Sequence, residues 1–66
     1  MIQQIRARRL AKGWSMGRLA AEVGVSRQAV FHWETGDRAP SLPNLDKVAI
    51  VLGLDYEELV SLRENT

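Results

Sequence analysis

Apolar residues recur at every third or fourth position of this chain, in short stretches that are separated by serine and glycine. That spacing is the period of an α-helix, and no stretch shows the alternation typical of a β-strand. Serine is common at the start of a helix, and glycine is common just after its end. The pattern therefore predicts an all-α fold, with helices at residues 2–12, 16–23, 26–34 and 42–52 and a fifth that begins at Asp55.

The same pattern predicts which side chains form the core. On the third helix Trp33 lies on the apolar side, and on the fourth the apolar residues form one stripe at helical spacing. That stripe consists of Leu42, Leu45, Val48, Ala49 and Leu52.

The second and third helices are joined by Gly24, Val25 and Ser26 alone. So short a connection is typical of a steep turn between two helices. Ala20 is small where the helices must approach each other, and Gly24 can adopt the positive φ that such a turn requires. Residues 16–35 are therefore predicted to be a helix-turn-helix unit.

Length and composition exclude several classes of protein. The 66 residues predict a single domain over residues 1–66. Cysteine is absent and His32 is the single histidine, so we expect no metal site and no cofactor. Because the chain has no nucleophile–histidine–acid set and no phosphate-binding glycine loop, we expect no enzyme activity. The longest apolar run, residues 48–54, is far shorter than the ~20 residues that span a bilayer, and we expect a cytoplasmic protein with no membrane partner.

Charge is divided unevenly between the halves of the chain. Residues 1–33 contain six Arg or Lys and one acidic residue, whereas residues 34–66 contain three Arg or Lys and seven acidic residues. A basic face of this kind can bind a polyanion, although scattered surface charge gives the same counts.

Three segments resemble the Cro/phage-repressor (XRE-type) helix-turn-helix family. They are RRLAKGWS at 8–15, LAAEVGVSRQAVFHWETGDRAPSL at 19–42 and NLDKVAIVLGLDYEEL at 44–59. The motifs GVS, WE-x-G-x-R-x-P and LGL-D make the resemblance specific. It implies a compact, five-helix, lambda-repressor-like domain that binds double-stranded DNA operators, usually as a dimer.

The third helix carries four candidates for reading bases. At about 100° per residue, Arg27, Gln28, Phe31 and His32 fall on the side opposite the apolar one. Arg27 can donate two hydrogen bonds to guanine, Gln28 can pair with adenine, and Phe31 can contact a thymine methyl group. The resemblance implies base contacts for Arg27, Gln28 and His32. The alternatives are a solvated surface and, for Phe31, packing at the edge of the core or against a second subunit.

Five further residues are predicted to contact the DNA backbone. They are Ser15, Gly17 and Arg18 at the start of the second helix, and Thr35 and Arg38 after the third. Gly17 allows the main chain to approach a phosphate, and Arg18 stands in a first turn whose dipole favours an anion. The resembling family commonly has glutamine at the position of Met16, for a phosphate contact that methionine cannot make, so that contact is not carried over.

Arg9 lies on the apolar side of the first helix, at helical spacing from Ile2 and Ile5. A buried guanidinium requires a carboxylate partner. The resemblance implies that Glu34 is this partner in a structural ion pair. The alternative is that the Arg9 side chain extends to solvent.

These features favour a sequence-specific DNA-binding transcription regulator, specifically a repressor that binds an inverted-repeat operator with helix 26–34 in the major groove. One short helix reads few base pairs, and a homodimer doubles the number. Leu54, Tyr56 and Val60 are predicted to form the dimer surface, with packing under the fifth helix as the alternative for Leu54. The alternative function is a protein-interaction module, such as an antitoxin or adaptor.

Overall fold

The computed structural model describes residues 2–55 and residue 57, with side chains from residue 4 onward. Within that part of the chain there are four α-helices and no strand: α1 (Ile2–Ala11), α2 (Met16–Val23), α3 (Arg27–Thr35) and α4 (Leu42–Leu52). The all-α prediction is confirmed. The predicted fifth helix falls mostly on residues outside the described ones, and α1 ends one residue earlier than predicted.

The helix boundaries follow the serine and glycine signals. Ser15, Ser26 and Ser41 each precede a helix, and each hydroxyl accepts a hydrogen bond from the main-chain N–H three residues later. Gly24, Gly36 and Gly53 follow these three helices in the left-handed conformation. Each cap satisfies main-chain groups that the helix itself leaves without a partner.

The core lies between the four helices, and each helix contributes to it. Its buried members are Ile5, Leu19, Ala20, Val23, Val30, Trp33, Leu45, Val48 and Leu52. The prediction for Leu42 was wrong, since its side chain is 59% exposed. Helical side chains lean toward the N-terminus, and the side chain of this first residue of α4 therefore extends past the helix end instead of over the core. Leu10 and Ile50 are also exposed.

The turn between α2 and α3 places these helices in direct contact. Gly24 has a φ of 87°, and its N–H donates to the carbonyl of Ala20 at 2.8 Å. Ala20 is buried at the point where a larger side chain would separate the helices. The turn therefore holds α3 against α2 with one side of α3 facing outward, as a helix-turn-helix requires.

Candidate nucleic-acid interface

The third helix is divided into a buried side and an exposed side. Val30 and Trp33 lie in the core, whereas Arg27, Gln28 and Phe31 are exposed. His32 is partly buried, and its ring meets the Phe31 ring edge-on, with centroids 5.8 Å apart. Three of the four predicted base-reading side chains are thus exposed, and His32 lies at the edge of the exposed side.

A groove of about 530 Å³ runs between the start of α2 and the exposed side of α3. It is lined by Met16, Arg27, Gln28 and Phe31. Gly17 lies beside it: a Cβ atom at this position would be 4.0 Å from Cδ of Arg27. The aliphatic part of Arg27 therefore passes over the first turn of α2. The fold thus brings the predicted backbone-contacting turn next to the predicted base-reading helix.

A second cleft of about 440 Å³ lies between α3 and the start of α4, and it brings together Gln28, His32 and Arg38. Asn44, whose N–H is bonded to the Ser41 cap, also lines it. This cleft therefore combines two predicted base-reading residues with a predicted backbone contact.

Asp37 is a neighbour of His32 that was not predicted. Its Oδ2 lies 2.8 Å from Nδ1 of His32, although the two groups are not aligned for a hydrogen bond. Protonation of the imidazole would convert this approach into an ion pair. Asp37 comes directly after Gly36, the residue that caps the end of α3. The direction of its side chain depends on the loop conformation, which the sequence pattern does not reveal.

The side chains predicted to contact the DNA backbone differ in whether they already form contacts within the protein. Ser15 uses its hydroxyl to accept from the Arg18 N–H at 3.0 Å, and Thr35 donates its hydroxyl proton to the His32 carbonyl at 3.3 Å. The Arg18 guanidinium is bonded to Glu22 at 2.9 Å and lies 4.8 Å from the Trp14 ring centroid. A phosphate would compete with the His32 carbonyl for the Thr35 proton and with Glu22 for the Arg18 guanidinium. The Ser15 hydroxyl, in contrast, only accepts in the cap and keeps its own proton to donate. Arg38 is exposed, and its guanidinium forms no hydrogen bond, ion pair or ring contact with the described residues.

Trp14 is a second feature that was not predicted. Its ring is half-buried against the core, and Lys12 Nζ lies 5.1 Å from the ring centroid, in addition to Arg18. Cations over an indole face are attracted by its quadrupole. Lys12 therefore adds positive charge next to the turn that precedes α2, whereas the charge of Arg18 is paired with Glu22.

Arg9 and Glu34 form a bidentate ion pair between α1 and the end of α3. Arg9 Nε donates to Glu34 Oε2 at 2.6 Å, and Nη2 donates to Oε1 at 2.9 Å. The third nitrogen, Nη1, donates to the carbonyl of Trp14 at 2.8 Å. The side chains are only 8% and 6% exposed. The hydrogen bonds with Glu34 raise the pKa of the Arg9 guanidinium, against the opposite effect of burial.

Of the three residues predicted to form the dimer surface, only Leu54 is among those that the structure describes. Leu54 is half-buried and packs against the core, which leaves less of its side chain for a partner. Tyr56 and Val60 lie outside the described residues. Ile50, which the sequence pattern did not single out, is 79% exposed on α4.

The described residues contain neither a candidate membrane span nor a candidate metal-binding cluster. No helix there is long and apolar enough to cross a bilayer. No group of three or more His, Cys, Asp or Glu side chains in the described part could hold a metal ion.

Comparison with known proteins relates this geometry to a family. Residues 5–59 match the helix-turn-helix family model. A protein of Aeropyrum pernix, provisionally named an HTH-type transcriptional regulatory protein, is 32% identical over 60 residues, which cover 91% of this chain and 18% of the relative. One of Pyrobaculum aerophilum with the same kind of name is 31% identical over 62 residues, covering 94% of this chain and 25% of the relative.

The chain thus spans a quarter or less of the length of these relatives. No solved structure matched it. The match to the family model includes α2, the turn, α3 and α4, which together form both clefts. This chain therefore belongs to the XRE-type helix-turn-helix family.

Proposed function

We propose that this domain is a sequence-specific repressor that binds an inverted-repeat DNA operator as a homodimer, with α3 in the major groove. The observation that carries the proposal is the exposed row of Arg27, Gln28 and Phe31 on a helix whose opposite side is buried. A helix surface that only faces solvent has no need of an exposed aromatic residue such as Phe31. It also has no need of two neighbouring side chains, Arg27 and Gln28, that can each form paired hydrogen bonds with a base.

The chemistry of the row matches the edges of base pairs in the major groove. Arg27 can donate to O6 and N7 of guanine, and Gln28 can donate to and accept from adenine. His32 can donate or accept at the edge of the row. Arg38 provides an exposed cation at the second cleft for a phosphate, which would orient the helix without reading sequence.

A dimer follows from the number of base pairs that one helix can read. One α3 contacts only a few base pairs, too few to specify a site among the competing sites of a genome. Because α3 and the start of α2 are assigned to the DNA, the dimer surface is proposed to be formed by other residues, namely Leu54, Tyr56 and Val60 as predicted from the sequence. The exposed Ile50 of α4 is a further candidate. Occupation of an operator is sufficient for repression, so the activity requires no further catalytic or activating surface.

Selection of bound duplexes from a random DNA pool tests the proposal. The expected result is an inverted repeat with half-site centres about 10–10.5 base pairs apart. Equal affinity for selected and random duplexes, or full affinity of a strict monomer for a single half-site, would contradict it.

The role of Arg38 is tested by the salt dependence of binding to the selected site. Arg38→Ala should reduce the slope of log K against log salt by about one, for all sequences, because one phosphate contact is lost. Lys47→Ala is the matched control, since Lys47 is an exposed cation that lines neither cleft. If both variants change the slope equally, Arg38 makes no localised phosphate contact.

A further inference from the structure

Met16 and Phe31 form an apolar surface within the polar DNA-facing groove. Phe31 is 48% exposed, and Met16 is half-buried with part of its side chain against the core. Both line the groove beside Arg27 and Gln28, and both also line an adjoining cleft of about 320 Å³ that reaches Arg6. The two side chains come from different helices, so together they form the walls of a cleft and not a flat patch.

Neither side chain can recognise a polar group on DNA. The thioether of Met16 is at best a weak acceptor, and the Phe31 ring has no hydrogen-bonding group. In the major groove the one apolar group on the edge of a base pair is the C5-methyl of thymine. A methylated cytosine carries the same group at the same ring position.

The surroundings of the cleft favour DNA over a protein as the occupant. Arg6 and Arg27 flank the apolar pair, and both are exposed. Gln28 adds paired hydrogen-bonding groups on the same side of the helix. A polyanion that presents methyl groups next to hydrogen-bonding base edges is complementary to this combination.

We propose that Met16 and Phe31 form a binding cleft for the C5-methyl group of a pyrimidine, which makes them determinants of operator specificity. The inference rests on the proposed function, because α3 must enter the major groove for the cleft to meet a base. Burial of one methyl group corresponds to about fourfold in affinity. The cleft therefore discriminates modestly at one position in each half-site.

The test removes the methyl group from the DNA without changing base pairing. Each thymine of the selected site is replaced in turn by deoxyuridine, and the affinity of the wild-type protein is measured. One position in each half-site should lose about fourfold per methyl. At that position Phe31→Ala and Met16→Gln should bind the thymine and deoxyuridine duplexes equally, whereas Met16→Leu should retain the discrimination. Leu10→Ala is the control, because Leu10 is a similarly exposed apolar residue on α1 that lines neither cleft.

A second pair of duplexes distinguishes the two sources of the methyl group. At the sensitive position, 5-methylcytosine paired with guanine is compared with cytosine paired with guanine. Tighter binding of the methylated pair, lost in Phe31→Ala, supports a methyl-binding cleft open to both bases. The alternative result is equal binding of the methylated and unmethylated cytosine duplexes while replacement of thymine by deoxyuridine still weakens binding. That result supports the cleft with thymine as its ligand.

Two results would overturn the proposal. One is a wild-type protein that selects a sequence but is insensitive to every deoxyuridine replacement; the proposed function then stands and the cleft does not. The other is a Phe31→Ala variant that keeps the discrimination but loses self-association, which would make Phe31 a subunit contact. Failure to select any sequence, by comparison, contradicts the proposed function itself.

Discussion

Removal of either partner of the Arg9–Glu34 ion pair should cost most of the stability of this domain. Both side chains are almost fully buried, so a single substitution leaves one charge in the core without its partner. Such a loss is typically about 3–5 kcal/mol in the free energy of unfolding. A domain of this size has a net stability of about 3–5 kcal/mol, so Arg9→Met or Glu34→Leu alone should be largely unfolded at room temperature.

The two single variants should not be equivalent. Glu34→Leu leaves the guanidinium with the Trp14 carbonyl as a partner, at 2.8 Å. Arg9→Met strands the Glu34 carboxylate and also removes the donor to that carbonyl, so it should be the more destabilising change. The double variant leaves only the carbonyl without its donor, a cost of about 1–3 kcal/mol.

Urea unfolding followed by circular dichroism measures this cycle. A stabilising osmolyte such as sucrose, at one concentration for all four proteins, provides native baselines for the single variants. The loss in the double variant should be at least about 2 kcal/mol smaller than the sum of the single losses. Additive losses would refute the reasoning, because they would mean that the two side chains do not interact in solution.

Five other substitutions test base recognition, the approach of a phosphate to α2 and the packing of the core. Arg27→Ala and Gln28→Ala should each cost about 1–3 kcal/mol on the selected site and relax the preference at one base pair, which binding to a panel of single-base variants measures; equal losses on random DNA would indicate phosphate contacts only. Gly17→Ala should raise the free energy of unfolding by about 0.5–1 kcal/mol, because the added methyl meets its neighbours at ordinary contact distance, yet weaken DNA binding if a phosphate approaches there; unchanged affinity would remove Gly17 from the interface. Leu45→Ala should lower the free energy of unfolding by about 2–5 kcal/mol, whereas Leu42→Ala should change it by less than about 0.5 kcal/mol in thermal or urea unfolding; similar losses would contradict the exposure of Leu42.

The helix starts and stops could be predicted from the sequence because they depend on local interactions. A serine hydroxyl caps the N–H three residues away, and a glycine adopts the left-handed conformation wherever the chain lies in the fold. The buried position of Trp33 was also predictable, since it depends on helical periodicity. Periodicity alone gave a wrong prediction for the burial of Leu42. It does not show that a side chain at the first position of a helix extends past the helix end and not over the core.

Contacts between residues far apart in the sequence were harder to predict from the sequence. The helical pattern placed Arg9 on an apolar face, but the identity of a partner 25 residues away came from the resemblance to a family and not from spacing. The approach of Asp37 to His32 and the cations over Trp14 depend on loop conformation and on the rotamers of exposed side chains. Many rotamers of such residues have similar energies, so neither contact leaves a signal in the pattern.

The three hydrogen bonds of the Arg9 guanidinium have an entropic consequence for DNA recognition. One planar group connects α1, the turn before α2 and the end of α3, so the orientation of α3 is determined when the chain folds. A helix that became ordered only on DNA would lose conformational freedom, and with it affinity. In the proposed complex the loss is confined to side chains, at about 0.5–1.5 kcal/mol for each one immobilised. Of the side chains proposed to contact the DNA, Phe31 has only two rotatable bonds, fewer than Arg27 or Gln28, and should lose the least conformational entropy. The domain thus presents a rigid helix with a few mobile groups, and differences in affinity between operators should arise from those groups and from the DNA, not from the placement of the helix.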